Sequence, residues 1–142
     1  MASVFSRIIA GELPARFVWQ DEQCVAFLSI QPLRPGHTLV VPRLEVDHWL
    51  DLELPLLTHL TRVSQVIGQA LQRGFRPAKV GLMLAGLQVP HVHIHLVPIL
   101  SEQDLDFANQ DPHPSERSLD EAAATIRRCL AELEAGDDRR GR

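Results

Sequence analysis

Between His91 and Leu96 the chain alternates imidazole and aliphatic side chains: His91, His93 and His95 interleave with Val92, Ile94 and Leu96. Alternation of this kind has the period of a β-strand, in which successive side chains leave opposite faces of the backbone. On a strand the three histidines share one face, spaced about 6.6 Å apart, and the three aliphatic residues share the other. A helix would scatter the same residues around its circumference. The segment therefore asks for a sheet with a core behind it and a row of nitrogen ligands in front.

Three readings of that row follow from its chemistry. Alternate imidazoles on a strand suit a zinc ion held by three histidines with one position open. They equally suit a nucleophile, one ring attacking an electrophile such as phosphorus while its neighbours set its tautomer and donate to oxygens. The bland reading is a solvated edge strand that carries histidines. Few carboxylates lie nearby in sequence to orient metal-bound rings, which counts against the first. Spacing alone does not separate metal from nucleophile.

The rest of the chain supplies a sheet to hold such a strand. Val4 to Ala10 has apolar residues at helical intervals and stops at Gly11. Arg16 to Trp19 and Cys24 to Ile30 read as antiparallel strands around a polar turn, and His37 to Val41 follows a Pro- and Gly-rich break as strand three. Leu56, Leu57, Leu60, Val63, Ile67, Ala70 and Leu71 recur at three- and four-residue steps up to Gly74, which predicts a long helix. Lys79 to Ala85 and Val92 to Ile99 complete the strands. Residues 101–117 form a polar surface arm. Ser118 and Glu121 make a capping box that starts a C-terminal helix over 118–135, and 136–142 is a charged tail expected to fray. The sum is one α+β domain over 1–142, with its core in 4–98.

Composition narrows the partners. The 142 residues carry 14 Lys and Arg against 18 Asp and Glu, a formal net charge of −4, so no basic field is available for nucleic acid. No apolar run approaches a membrane span, and the N-terminus lacks a secretory pattern, so the chain is expected in the cytoplasm, without membrane partners. Cys24 and Cys129 form neither a metal knuckle nor a disulfide framework and are read as reduced, packed thiols. His48, His59 and His113 are placed at the surface.

Three blocks, Phe5 to Pro14, Pro35 to Pro42, and His91 to His95 with Pro98, resemble the histidine triad family of nucleotide hydrolases and transferases. The resemblance runs from Val4 to Pro98. It implies a five-stranded antiparallel sheet with a long helix and a short N-terminal one, and a homodimer that joins two sheets into ten strands. It also implies chemistry at the α-phosphate of a purine nucleotide-type small molecule, with no cofactor and no metal. His93 would attack phosphorus, His91 would orient it, and His95 with His37 would contact phosphate oxygens or assist the leaving group. Phe5, Ile8, Phe27 and Ile30 correspond to the slot for the base.

The chain departs from the family pattern at several positions. Ser29 stands where an acidic residue or Asn holds the ribose, Leu87 and Gln88 where Gln and Ser or Thr touch phosphate, and Glu45 where a histidine is common. Gln88 retains an amide in the phosphate region. Each lost partner costs about 1 to 3 kcal/mol of binding. The leading reading is thus a metal-independent phosphoramidase or hydrolase that acts on a phosphoramidate, phosphoanhydride or adenylylated metabolite through a nucleotidyl-His93 intermediate. The alternative is a nucleotide- or metal-binding protein with vestigial catalysis.

Overall fold

The computed structural model describes residues 2–139, with side chains through Gly136. Five strands, β1 (Phe17–Gln20), β2 (Cys24–Leu28), β3 (Thr38–Pro42), β4 (Lys79–Met83) and β5 (Ile94–Ile99), pair in the order β1-β2-β3-β5-β4. Every pairing is antiparallel. One cross-strand row runs Phe27, Leu39, His95, Met83, and the next runs Ala26, Val40, Ile94. Rows one residue apart face opposite sides, so the register itself sorts imidazole from core.

The Val40 and Ile94 side is closed by two long helices, α2 (Leu54–Phe75) and α3 (Glu116–Arg139). Leu60, Val63, Ile67 and Leu71 of α2 and Ile126 and Cys129 of α3 are buried there, each large aliphatic contributing about 1.5 to 3 kcal/mol on removal from water. The short helix α1 (Val4–Ile9) lies on the other side, where Phe5 packs with Val25, Phe27, Leu39 and Val41.

Several boundaries differ from the sequence reading. β5 begins at Ile94 rather than Val92, because the Val92 N–H donates to Val46 O (2.7 Å) and the His91 N–H to Val89 O (2.8 Å) instead of joining the ladder. β2 ends at Leu28, two residues before Ile30. Gly74 does not stop α2. A Cβ at that position would sit 2.7 Å from Thr125 Cγ2 and 3.1 Å from Cys129 Sγ, so the glycine allows α3 to approach, and Arg76 at φ 50° closes the helix.

α3 starts at Glu116, capped by Ser115 Oγ accepting from the Ser118 N–H (3.0 Å), so Ser118 is not the cap. The helix then runs through Gly136 to Arg139, and 140–142, the rest of the tail expected to fray, lie outside the described residues. The 101–117 arm holds two 3-10 turns, Glu102–Leu105 and Phe107–Asn109. It is tied to the loop after β2 by the Asp111 N–H to Pro32 O (2.9 Å) and by Gln110 Nε2 to Gln31 O (3.0 Å). No described helix is long and apolar enough to cross a membrane.

Candidate active site

On the imidazole side of the sheet a cavity of about 410 Å³ opens between α1, the end of β2 and β5. Phe5, Ile8 and Phe27 form its apolar wall, Ser29, Ile30 and Gln88 its rim, and His93 and His95 its inner end. Phe5 meets Phe27 edge to face at 5.6 Å and His93 at 4.9 Å. An aromatic slot thus abuts a pair of imidazoles, the arrangement that accepts a flat apolar group at one end and an anion at the other.

The hydrogen bonds fix which ring nitrogen carries each proton. His93 Nδ1 lies 2.8 Å from the carbonyl oxygen of His91. A carbonyl only accepts, so Nδ1 donates and Nε2 keeps its lone pair. The Leu33 N–H donates to His37 Nδ1 (3.0 Å), which puts the His37 proton on Nε2, and Nε2 donates to His95 Nδ1 (2.9 Å). His95 therefore bears its proton on Nε2. His93 is arranged as a nucleophile, and His95 beside it, at 4.8 Å between ring centroids, as a donor.

Electrostatics keeps these rings neutral. Burial lowers the pKa of all four imidazoles, with His37 brought to about 3 and His95 to about 4, each further depressed by its imidazole neighbours. For His93 the bond to the His91 carbonyl opposes that fall in part. A neutral ring is the form that attacks.

His91 and His37 do not line the cavity with the other two. The His91 ring is fully enclosed: its Nε2 donates to Pro42 O (2.8 Å) and its Nδ1 accepts from Ser3 Oγ (2.6 Å). It orients His93 through its backbone carbonyl, whereas its ring ties α1 to β3. His37, 1% exposed, lies one ring deeper than His95 and donates to it through Nε2.

Among the polar neighbours, Ser3 and Gln110 have no place in the sequence reading, and Glu45 enters it only as a departure from the family pattern. Ser3 caps α1 by accepting from the Ser6 N–H (3.0 Å) while donating to His91, and Glu45 Oε1 accepts from the Ser3 N–H (2.7 Å) and Ser6 Oγ (2.6 Å). Those bonds, the one from the Ser3 N–H foremost, hold the Glu45 carboxyl below the usual carboxylate range. Gln110, on the arm, lines the same cavity. The arm also brings Phe107 edge-on to His95 at 5.1 Å. Only the docking of the arm, a tertiary event, brings these two residues to the site. Leu87, at 95% exposure, projects outward beside Gln88 on the loop before His91.

The HIT domain family model matches residues 10–101. An uncharacterized HIT-like protein of Methanocaldococcus jannaschii is 33% identical over 99 residues, 67% of this chain and 77% of the relative. An adenylylsulfatase of Arabidopsis thaliana is 26% identical over 89% of this chain and 66% of its own length. Among solved structures, a zinc-bound histidine triad family protein from Mycobacterium smegmatis superposes with a TM-score of 0.81 at 27% identity, covering 96% of this chain and 98% of that one.

Proposed function

This chain belongs to the HIT domain family, and from that premise we propose that it is a nucleotide hydrolase or transferase acting at the α-phosphate of a nucleoside phosphate derivative through a covalent nucleotidyl-His93 intermediate. The observation that carries the reading is the direction of two hydrogen bonds: His93 Nδ1 to the His91 carbonyl and His37 Nε2 to His95 Nδ1. Together they leave one lone pair and one N–H facing the same cavity.

In the first step His93 Nε2 forms a bond to phosphorus and the leaving group departs with its bonding electron pair. The His93 ring gains positive charge as the bond forms. Its Nδ1–H then donates more strongly to the His91 carbonyl, a gain realised in the transition state rather than the ground state. The His95 Nε2–H donates to the charge gathering on a phosphoryl oxygen. In the second step water attacks phosphorus, the P–N bond returns its electrons to Nε2, and the water's proton passes to solvent. The nucleoside monophosphate is released. A phosphosulfate, phosphoramidate, phosphoanhydride or other adenylylated metabolite would serve, the phosphosulfate suggested by the Arabidopsis relative's activity.

The imidazole cluster suits this role better than that of a three-histidine metal centre. Such a centre needs three inward lone pairs, and here His93 Nε2 alone offers one while His95 Nε2 carries a proton. Turnover is accordingly assigned to the imidazoles without a metal. We also propose a dimer through the exposed edge of β4, where Leu82 is solvent-facing and Ser64 Oγ of α2, buried and without a hydrogen-bond partner among the described residues, lines the adjoining groove. Two buried free thiols suit a reducing compartment such as the cytoplasm.

Replacing His93 with Ala tests the proposal. Turnover of adenylyl sulfate and nucleoside phosphoramidates should fall by more than about 10⁴-fold, and mass spectrometry should find no nucleotidyl adduct on the variant. Full turnover in His93→Ala would remove the mechanism.

A further inference from the structure

Away from the cavity, a second group of reactive side chains gathers where the β1–β2 turn meets α2. Asp21 Oδ2, Cys24 Sγ and His59 Nε2 lie within 4.8 Å of one another. Cys24 is fully enclosed and forms the floor, while Asp21 and His59 keep 26% and 24% of their side-chain surface exposed and form the rim. The sequence reading placed His59 at the surface. The structure instead half-buries it against Asp21.

The carboxylate at the centre is over-subscribed. Oδ1 accepts from the Gln23 and Cys24 N–H groups, both at 2.8 Å, and Oδ2 faces His59 Nε2 at 2.7 Å, Trp19 Nε1 at 2.8 Å and the Cys24 thiol at 3.6 Å. Five donors converge on a group with about four acceptor sites. Burial alone would raise the Asp21 pKa, but these bonds outweigh it, Trp19 foremost, and hold the carboxyl ionised well below its usual range.

We propose that Asp21, Cys24 and His59 bind a thiophilic divalent cation, with zinc as the fitting ion and water as its fourth ligand. One sulfur, one nitrogen and one oxygen are the donor types zinc takes in a tetrahedral shell. With bond lengths of about 2.3 Å to sulfur and about 2.1 Å to the others, that shell has an S–O edge of about 3.6 Å and an N–O edge of about 3.4 Å. The first is already present, and the second requires the imidazole to swing out from 2.7 Å. The cation takes the place of the thiol proton, which leaves to solvent, and the neutral imidazole moves its proton to Nδ1 and offers Nε2. Carboxylate and thiolate then cancel the ion's charge. The donor count on Asp21 falls from five to three, with Trp19 and the two backbone N–H groups left to fix its orientation. Without a cation, burial and the nearby Asp21 charge push the thiol up to about 12, so the sulfur is otherwise inert. The ion would tie the β1–β2 turn to α2 and take no part in turnover.

The test is elemental analysis of the full chain after equilibration with zinc, together with the absorption of the cobalt-loaded protein, whose sulfur-to-cobalt charge-transfer band reports a thiolate ligand. We expect one zinc per chain, the near-ultraviolet band, and a melting temperature that rises with zinc. Cys24→Ser should abolish the band, and His59→Ala, on the rim, should weaken zinc binding at least about 100-fold, more than loss of an outer-sphere partner costs. His93→Ala should keep both signals, which separates this site from the imidazole cavity whether or not that cavity proves catalytic. Absence of the cobalt band in the parent chain, or unchanged zinc affinity in a folded His59→Ala chain, would overturn the proposal.

Discussion

Ile94 and His95 are adjacent on β5 and nearly equal in enclosure, at 2% and 7% exposure, yet they serve opposite sides of one sheet. Behind the sheet, Ile94 shares with residues of α2 and α3 a close-packed layer where only shape and volume are asked of a side chain. In front, His95 takes a proton-bearing contact from His37, stands edge-on to His93 and Phe107, and borders a cavity. Burial is common to both sides. The direction of the hydrogen bonds is what makes one a core and the other a reaction surface.

That contrast can be broken from either side. Ile94→Ala should cost about 2 to 5 kcal/mol in denaturant unfolding while leaving kcat in the folded fraction unchanged. A large loss of kcat at full stability would mean that the two faces are not separable. Acidification should act on the front alone. The unfolded imidazoles bind protons below about 6.5, whereas His37 and His95 stay neutral down to about 3 and 4 in the folded chain. Their contribution is therefore intact above that range and is lost as pH falls through it, at about 1.4 kcal/mol per pH unit for each ring. Unfolding free energies measured at pH 7.5, 6 and 5 should fall accordingly, and a flat profile would contradict neutral rings. The smallest effect belongs to the supporting ring. His37→Phe frees His95 Nδ1 to take the proton, so kcat should drop about tenfold with KM nearly constant, and His37→Gln should recover part of it.

Much of this was legible in the chain before folding, because two-residue periodicity is local. His91, His93 and His95 announced a face, and Val92, Ile94 and Leu96 announced the core behind it. Phe5, Ile8 and Phe27, placed by resemblance, do line the cavity with Ser29, Ile30 and Gln88. What the sequence hid is relational. That the His91 carbonyl faces His93 Nδ1 goes with a strand that starts two residues late, for reasons set by Val46 and Val89. Phe107 and Gln110 sit in a polar stretch with no periodicity, and Asp21, Cys24 and His59 come together only when the turn docks on α2. Gly74 read as a helix stop because glycine commonly is one, and only the neighbouring helix reveals the other use of a missing Cβ.

Ser3 has a consequence for anyone who handles this protein. One hydroxyl both begins α1 and steadies the histidine whose carbonyl accepts from His93 Nδ1. The residues ahead of α1 thus govern the imidazole side of the sheet as much as β5 does, and a change made at Ser3 would disturb the helix cap and the His91 ring together.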